Sequence, residues 1–289
     1  PARVWWMAAR PATLAASVSP VLVGVSIATR DGMVRPLPAA GALLVAVALQ
    51  VGVNYANDYS DFVHGADTPA RVGPLRAAAS GIVAASHVRN AAIAALGFAA
   101  VVGLAVSVVV DWRLIPLGAL CIMGAWLYTG GPRPYGYAGL GELAVFVFFG
   151  LVATAGTVYV NEGRLTALAI AGGVATGSFA SAVLVLNNLR DIDTDAAAGK
   201  RTLAVKVGRP ATRALLVALL VAPFLVSAAA AGPGGVGPRG LLPWLTAPLA
   251  VMPVVASRRR EGPALVAALK RTAAVEVIYA LLWALALVI

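Results

Sequence analysis

Half of the acidic residues in this chain fall in two short segments that each follow a hydrophobic stretch. The 289 residues include twelve Asp and Glu, and six of these lie within 58–67 and 191–195. Carboxylate oxygens are the ligands that hard divalent cations prefer, and a cation held in this way also binds phosphate oxygens. Charged side chains beside lipid-soluble helices are costly unless they serve a site. Two such segments facing one another therefore predict a site for Mg²⁺ and a diphosphate substrate.

The spacing within each segment places its carboxylates on one side of a helix. Asp58 and Asp61 are three residues apart, and Asp191 and Asp195 are four apart, so each pair shares a helical face. Asp193 points away from that face. The predicted catalytic residues are Asp58, Asp61, Asp191 and Asp195, and the predicted metal ligands are these four together with Asp67.

Amide, basic and aromatic side chains accompany these carboxylates. The amides lie close to the acids in sequence and would support the ligands, while the basic residues follow each acidic segment. An Arg or Lys paired with Mg²⁺ is the usual arrangement around a diphosphate, and Arg gives bidentate hydrogen bonds. The predicted substrate-binding residues are Asn54, Asn57, Arg71, Arg76, Asn188, Lys200, Arg201 and, beside a loop near the expected cavity mouth, Tyr128.

The composition indicates a chain that lies mostly in lipid. Hydrophobic residues make up 60% of it, charged residues 12%, and the mean hydropathy is +0.87. Soluble domains average about 25% charged residues. The single cysteine, Cys121, excludes a disulfide within the chain and a cysteine-held metal cluster. The composition therefore predicts an all-α, polytopic membrane protein that forms a single domain over residues 1–289, in contact with membrane lipid.

Apolar runs long enough to cross a bilayer, about 20 residues as helix, recur along the whole chain. We predict a bundle of nine transmembrane helices with Asp-rich loops at the helix ends. The predicted spans are 11–29, 38–58, 88–110, 113–129, 139–160, 165–188, 212–231, 241–257 and 270–289.

The basic residues are distributed unequally between the two sides that nine spans would create. Seventeen Arg and Lys fall on the side of the N-terminus and both acidic segments, and five fall on the other. Positive charge marks the cytoplasmic side, so we expect the N-terminus and both Asp-rich loops to be cytoplasmic in a multi-pass protein of the cell membrane. Because topology accounts for most of the net charge of +10, we expect no nucleic-acid partner.

Two further carboxyl groups, Glu142 and Glu276, lie inside predicted spans. An ionisable side chain within a membrane helix is a functional candidate by default. For Glu142, pairing with an arginine in a loop is an equally good structural explanation. The sequence leaves the roles of both residues open.

These motifs resemble those of the UbiA superfamily of intramembrane prenyltransferases. That family carries N-D-x-x-D followed by another Asp, and a second motif D-x-x-x-D. Asn57 to Asp61 with Asp67 match the first motif, and Asp191 to Asp195 match the second. The resemblance extends over essentially the whole chain, and it implies a central cavity that opens toward lipid, bound Mg²⁺ and a polyprenyl diphosphate donor.

Longer strings resemble one group within this superfamily, the 1,4-dihydroxy-2-naphthoate polyprenyltransferases of menaquinone synthesis. They are the segments 54–61, 65–69, 71–76, 187–191 and 199–205. This resemblance implies transfer of the prenyl group to the dihydroxynaphthoate with loss of its carboxylate, which gives demethylmenaquinone. Composition and spacing alone do not indicate this acceptor.

Two alternatives remain open at this point. A prenyltransferase of the same superfamily that uses another acceptor, such as 4-hydroxybenzoate, would carry the same two motifs. A cation transporter, from a different functional class, would also place carboxylates in a membrane bundle. It would, however, place them near the bilayer midplane, in helix breaks, rather than beside basic loops at the helix ends.

Overall fold

The computed structural model describes residues 2–65, 76–233, 235–258 and 262–289, and every regular element within these ranges is helical. The α-helices are α1 (Ala2–Ala8), α2 (Ala15–Arg30), α3 (Pro36–Val63), α4 (Ala85–Val110), α5 (Leu114–Leu127), α6 (Gly141–Val145), α7 (Ala153–Glu162), α8 (Ala167–Ala197), α9 (Leu203–Ala230), α10 (Ala247–Ser257) and α11 (Gly262–Val288). Short 3₁₀ segments lie at Pro11–Thr13, Tyr135–Ala138 and Pro238–Thr246, and the segment Phe146–Val152 is π-helical.

Seven of the described helical stretches are long and apolar enough to cross a membrane. They are Pro36–Val63, Ala85–Val110, Gly141–Glu162, Ala167–Ala197, Leu203–Ala230, Pro238–Ser257 and Gly262–Val288. The stretch Ala2–Thr13 and helix α2 meet at an angle of 52° and add an eighth if they form one span. The predicted span 113–129 corresponds to α5, whose 14 residues fall short of the usual 20 because Gly130, Gly131 and Pro132 follow it closely. Nine spans therefore stay a proposal.

Helix α8 lies at the centre of the bundle and is the most buried of the seven membrane-length helices. It packs against α2, α7, α9, α11 and the π-helical segment. Aromatic rings complete this core, with Phe179 of α8 in edge contact with Phe224 of α9 and Tyr279 of α11. Since α8 carries the second acidic motif, the packing of these apolar surfaces fixes where that motif lies.

The π-helical segment and α8 approach each other through glycines. A Cβ atom at Gly150 would lie 2.4 Å from the Cα of Gly177 and 2.5 Å from the carbonyl oxygen of Gly173, so only glycine fits there. On its other side the same segment presents Phe148 and Phe149 to a cavity.

The described aspartates of the two motifs lie within helices, which corrects the expectation that they lie in loops; they are Asp58, Asp61, Asp191, Asp193 and Asp195. Helix α3 continues to Val63 and α8 continues to Ala197, and each ends just before a glycine in the left-handed conformation. These glycines are Gly65, with φ of 66°, and Gly199, with φ of 73°. Glycine stops a helix in this way because it adopts positive φ at little cost. No glycine occurs within 54–64 or 187–198, so the helical hydrogen bonds extend through these aspartates.

The contact between Gly150 and α8 gives the first prediction. We expect Gly150→Ala to lower the free energy of unfolding by about 1–3 kcal/mol, because the added methyl group has no free space and faces backbone atoms. Thermal or denaturant unfolding of the purified protein in detergent measures this change. The matched control is Gly156→Ala, where no atom lies within 4 Å of the new methyl group. Equal stability of the two variants would contradict the close packing described for this segment.

Candidate active site

A cavity of about 550 Å³ lies between α3, α4, α5, α8 and the helix Gly141–Glu162. Its walls are largely apolar and include Phe148, Phe149 and residues of α4 and α5. Charged side chains gather at one end, where Asp61 of α3 and Asp191 and Asp195 of α8 all line the cavity. The structure therefore joins carboxylates from both sequence motifs at one end of a hydrophobic chamber.

Asp61 contacts donors from three distant parts of the chain. Its Oδ1 accepts hydrogen bonds from Lys200 Nζ at 2.8 Å and from the Tyr137 hydroxyl at 2.5 Å. Its Oδ2 accepts one from Arg76 at 2.6 Å. Lys200 Nζ also lies 4.6 Å from the centre of the Tyr137 ring, within the range of a cation–π contact. The predicted phosphate-binding residues Arg76 and Lys200 are thus held by a predicted metal ligand.

Tyr137 is a site residue that sequence reasoning missed. The 3₁₀ segment Tyr135–Ala138 is fixed to the chain that follows the second motif. The Tyr137 carbonyl accepts the Arg201 backbone N–H at 2.9 Å, and the Ala138 carbonyl accepts Lys206 Nζ at 2.7 Å. Aromatic residues in this loop were visible in the sequence, but nothing there indicated which hydroxyl reaches Asp61. That choice depends on a contact between residues 76 positions apart.

Two tyrosines of the same region also line the cavity. The rings of Tyr128 and Tyr135 meet edge to face, with centroids 5.5 Å apart. The Tyr135 hydroxyl donates to the Gly124 carbonyl at 2.6 Å, and burial raises the pKa of Tyr135 to about 12. Tyr135 therefore stays neutral at physiological pH and holds α5 against the loop. Tyr128, which the sequence predicts as a substrate-binding residue, is on the cavity wall.

Asp58 does not share the cavity with Asp61. Its buried carboxylate accepts the backbone N–H groups of Ala77 at 2.8 Å and Ala78 at 3.2 Å. Residues three apart lie about 60° apart around a helix, and here this angle turns Asp58 toward the returning chain. Asp58 thus fixes the backbone next to Arg76. Of these two aspartates only Asp61 lines the cavity, and the sequence does not show that backbone donors approach Asp58. The catalytic and metal-binding roles of Asp58 stay predictions.

The second motif has the predicted geometry. Asp191 and Asp195 both line the cavity, while Asp193 points outward with its side chain 87% exposed and binds Arg209 at 2.7 Å. Asp191 is paired with its neighbour Arg190 at 2.5 Å and 2.7 Å. A spacing of four residues brings side chains onto one helical face.

The predicted amide residues have separate partners. Asn54 donates to the Ala9 carbonyl at 2.8 Å and to the Thr13 hydroxyl at 2.9 Å, so it joins α3 to the N-terminal segment. Asn57 accepts a hydrogen bond from Thr129 at 2.7 Å, and Asn188 donates to Glu142 at 2.9 Å. These three amides line the cavity wall.

Three other predicted residues are placed differently or fall outside the described ranges. Arg201 is exposed and is not part of the cavity wall. Asp67 and Arg71 lie outside the described residues. Arg10, which was counted in the sequence only for topology, lines the cavity and has a left-handed backbone with φ of 52°.

Comparison with known proteins places this architecture in a family. The sequence profile of the UbiA prenyltransferase family matches residues 17–273. The chain belongs to the UbiA prenyltransferase family. The 1,4-dihydroxy-2-naphthoate octaprenyltransferase of Mycobacterium tuberculosis is 50% identical over 75% of this chain and 74% of its own length. The protein of the same name from Escherichia coli is 39% identical over 76% of this chain and 73% of its own length.

A solved structure shares the fold of this UbiA family member. It is a UbiA homolog from Archaeoglobus fulgidus bound to DMAPP and Mg²⁺, with a TM-score of 0.68 over 99% of each chain and 14% sequence identity. Family membership and the apolar helices together make the chain a multi-pass membrane protein.

The acidic end of this UbiA cavity has the donor chemistry of a divalent-cation site. Within the part of the chain that the structure describes, no three His, Cys, Asp or Glu side chains cluster closely enough to hold a metal ion alone. Mg²⁺, however, usually binds through one or two carboxylates and fills its remaining positions with phosphate oxygens and water. Asp61, Asp191 and Asp195 fit this role, because all three line the acidic end of the cavity.

The position of Asp58 predicts that this aspartate of the UbiA fold is needed for stability. We expect Asp58→Ala to lower the free energy of unfolding by at least about 2 kcal/mol, because two backbone N–H groups lose their acceptor in a buried place. Thermal unfolding in detergent measures the loss. The matched control, Asp193→Ala, removes an exposed carboxylate and should change stability by less than about 0.5 kcal/mol. An Asp58→Ala protein as stable as this control would refute the assignment.

Proposed function

We propose that this protein transfers a polyprenyl group from polyprenyl diphosphate to 1,4-dihydroxy-2-naphthoate with loss of carbon dioxide. The product is demethylmenaquinone in its hydroquinone form, an intermediate of menaquinone synthesis. One observation carries the proposal: acids and bases of both motifs meet at one end of a single apolar cavity. The acceptor follows from the names of the relatives at 50% and 39% identity.

The charged end of the cavity suits the diphosphate. Lys200 and Arg76 each form an ion pair with Asp61 in the absence of a ligand. A diphosphate would take over these donors, because charge-assisted hydrogen bonds to phosphate are strong. Asp61, Asp191 and Asp195 would hold Mg²⁺, which supplies stabilisation of the negative charge on the departing diphosphate.

The apolar body of the cavity suits the prenyl chain. The bond between C1 of the donor and the diphosphate oxygen breaks with its electron pair on oxygen, which leaves an allylic cation. Phe148 and Phe149 line the cavity beyond the charged end, where they shield this cation from water and face it with aromatic rings. The ring carbon that bears the carboxylate then bonds to C1, and the electrons of its bond to the carboxylate return to the ring as carbon dioxide leaves.

A transfer assay tests this function. Purified protein in detergent or nanodiscs should convert polyprenyl diphosphate and dihydroxynaphthoate to product when Mg²⁺ is present and should lose this activity in excess chelator. Asp61→Ala and Asp191→Ala should each lower the rate at least about a hundredfold, because each removes charge stabilisation at the leaving group. Asp193→Ala should retain activity, since its side chain faces outward.

Each contrary result has a distinct meaning. Product formed with 4-hydroxybenzoate instead of the naphthoate would retain the prenyl-transfer chemistry and overturn the proposed acceptor. A fully active Asp191→Ala protein would overturn the proposed mechanism. Substrate-independent ion flux through liposomes, without any product, would favour a cation transporter.

We also propose that the whole chain, 1–289, is one membrane domain of nine spans in the cell membrane, with the N-terminus and the acidic helix ends facing the cytoplasm. Helix α5 supports the ninth span, because its two flanks contact opposite ends of the bundle. Thr129 binds Asn57 at the acidic end, and Asp111, just before α5, binds the hydroxyl of Tyr159 in α7. The hydrogen bond from Tyr159 lowers the pKa of Asp111. The excess of basic residues on the acidic side supports the orientation.

Cysteine labelling tests this topology. In a Cys121→Ser background, a membrane-impermeant maleimide applied to spheroplasts should label Trp112→Cys but should label neither His87→Cys nor Arg133→Cys. All three native residues are exposed. Inverted vesicles should give the opposite result. Labelling of Arg133→Cys together with Trp112→Cys would show that α5 does not cross, and a full reversal would overturn the orientation.

A further inference from the structure

Two nearly buried asparagines line the cavity one helical turn deeper than the carboxylates. Asn57 precedes Asp61 by four residues on α3, and Asn188 precedes Asp191 by three on α8. One turn corresponds to about 5 Å along a helix. C1 of a polyprenyl diphosphate is bonded to the diphosphate itself, so a ring that attacks C1 has to lie just below the charged end. These asparagines are therefore at the depth of the aromatic acceptor.

Glu142 sets the orientation of Asn188. Asn188 Nδ2 donates to Glu142 Oε1 at 2.9 Å. Because a carboxylate oxygen accepts hydrogen bonds, the nitrogen of the amide faces Glu142, and Oδ1 lies on the other side. Within the described ranges Asn188 Oδ1 has no hydrogen-bond partner, and Asn188 lines the cavity. The pair thus presents a hydrogen-bond acceptor to whatever occupies this depth.

Thr129 sets Asn57 in the opposite sense. The Thr129 hydroxyl donates to Asn57 Oδ1 at 2.7 Å, so the amide nitrogen of Asn57 is left toward the cavity. No partner for this nitrogen occurs in the portion of the chain described by the structure. Asn57 therefore offers N–H donors, which suit anionic oxygens, whereas Asn188 offers an oxygen, which suits a hydroxyl donor.

Glu142 is buried in a way that disfavours the folded state. It is 6% exposed, and its Oε2 has no hydrogen-bond partner among the described residues. An apolar side chain of similar size is often as stable as a buried charged group, or more stable. Packing therefore gives no reason for a glutamate here, whereas holding the Asn188 amide in one orientation does.

We propose that Glu142 is a positioning residue that, through Asn188, turns a hydrogen-bond acceptor toward a ring hydroxyl of the aromatic substrate. This inference rests on the proposed function. A hydroxyl that donates to Asn188 Oδ1 places more electron density on the ring carbons, which favours attack on the allylic cation. A substrate without that hydroxyl leaves a buried oxygen unpaired, and sites of this kind reject such analogues strongly. Asn188 touches the substrate, while Glu142 acts through it.

Glu142→Met tests the inference with three acceptors: 1,4-dihydroxy-2-naphthoate and its two monomethyl ethers, whose methoxy group cannot donate a hydrogen bond. For the dihydroxy compound, KM or competitive Ki should rise about tenfold, as expected for one lost hydrogen bond to an oriented partner. One of the two ethers should show no rise, because it never made this bond. The KM for polyprenyl diphosphate should stay within about twofold of the wild type and reports that the site is intact.

Two matched variants separate positioning from a general effect. Glu142→Gln keeps an Oε1 that accepts from Asn188 Nδ2, so it should restore the wild-type preference for the dihydroxy compound. Thr129→Val removes the corresponding hydrogen bond to Asn57 and should not produce the difference between hydroxyl and methoxy acceptors. A Glu142→Gln protein as impaired as Glu142→Met, or the same hydroxyl-specific effect in Thr129→Val, would overturn the proposal.

The remaining outcomes also decide the matter. The positioning role would be overturned if Glu142→Met raised KM equally for all three acceptors, raised KM equally for polyprenyl diphosphate, or left every KM unchanged. These results would leave the proposed function in place. A wild-type protein that transfers no prenyl group to the naphthoate would overturn the proposed function itself. If Glu142→Met does not fold, the double variant Glu142→Met with Asn188→Leu removes both polar partners. That protein should unfold at the wild-type temperature and lose hydroxyl discrimination.

Discussion

The pairing of Asp61 with Lys200, Arg76 and Tyr137 is the contact on which the charged end of the cavity depends. These residues come from α3, the chain after it, the loop before α6 and the turn after α8. Charges that are largely buried are tolerated when each has a partner of opposite sign with good hydrogen-bond geometry. The requirement to neutralise Asp61 therefore holds both motifs together before any ligand arrives. It also keeps the donors for a diphosphate in place.

Close packing between α8 and the π-helical segment forms part of the cavity wall. Helix α8 is held between apolar surfaces, and its glycines let the π-helical segment approach at backbone distance. The segment contacts α8 through a glycine, whereas its large side chains Phe148 and Phe149 line the cavity. Gly173 and Gly177 lie on the same helical face of α8 as the cavity-lining Leu184, so the close contact lies directly beside the cavity. The helix that carries Asp191 and Asp195 therefore also forms part of the wall of the hydrophobic cavity.

The sequence predicted those features that depend on spacing along one helix and missed those that depend on long-range contacts. The placement of Asp191 and Asp195 on the cavity, with Asp193 outside, followed from helical periodicity alone. The role of Asp58 could not follow, because its partners are backbone N–H groups of residues 19 and 20 positions away, and any residue type supplies those. Helix ends were also poorly predicted, since the left-handed glycine after each motif, and not the change in hydrophobicity, sets the last helical residue.

Asn57 and Asn188 add a second constraint to the cavity, the direction of hydrogen bonds. An amide side chain has a donor end and an acceptor end, and a cavity that has to recognise one face of a substrate needs to suppress rotation between them. Thr129 and Glu142 do this from opposite sides, with a hydroxyl that gives a hydrogen bond to one amide and a carboxylate that takes one from the other. The Glu142 carboxylate is only 6% exposed, and one of its oxygens has no hydrogen-bond partner among the described residues, which disfavours the folded state. Its presence is consistent with a fold in which part of the stability is given up for an oriented hydrogen bond at the depth where the new carbon–carbon bond forms.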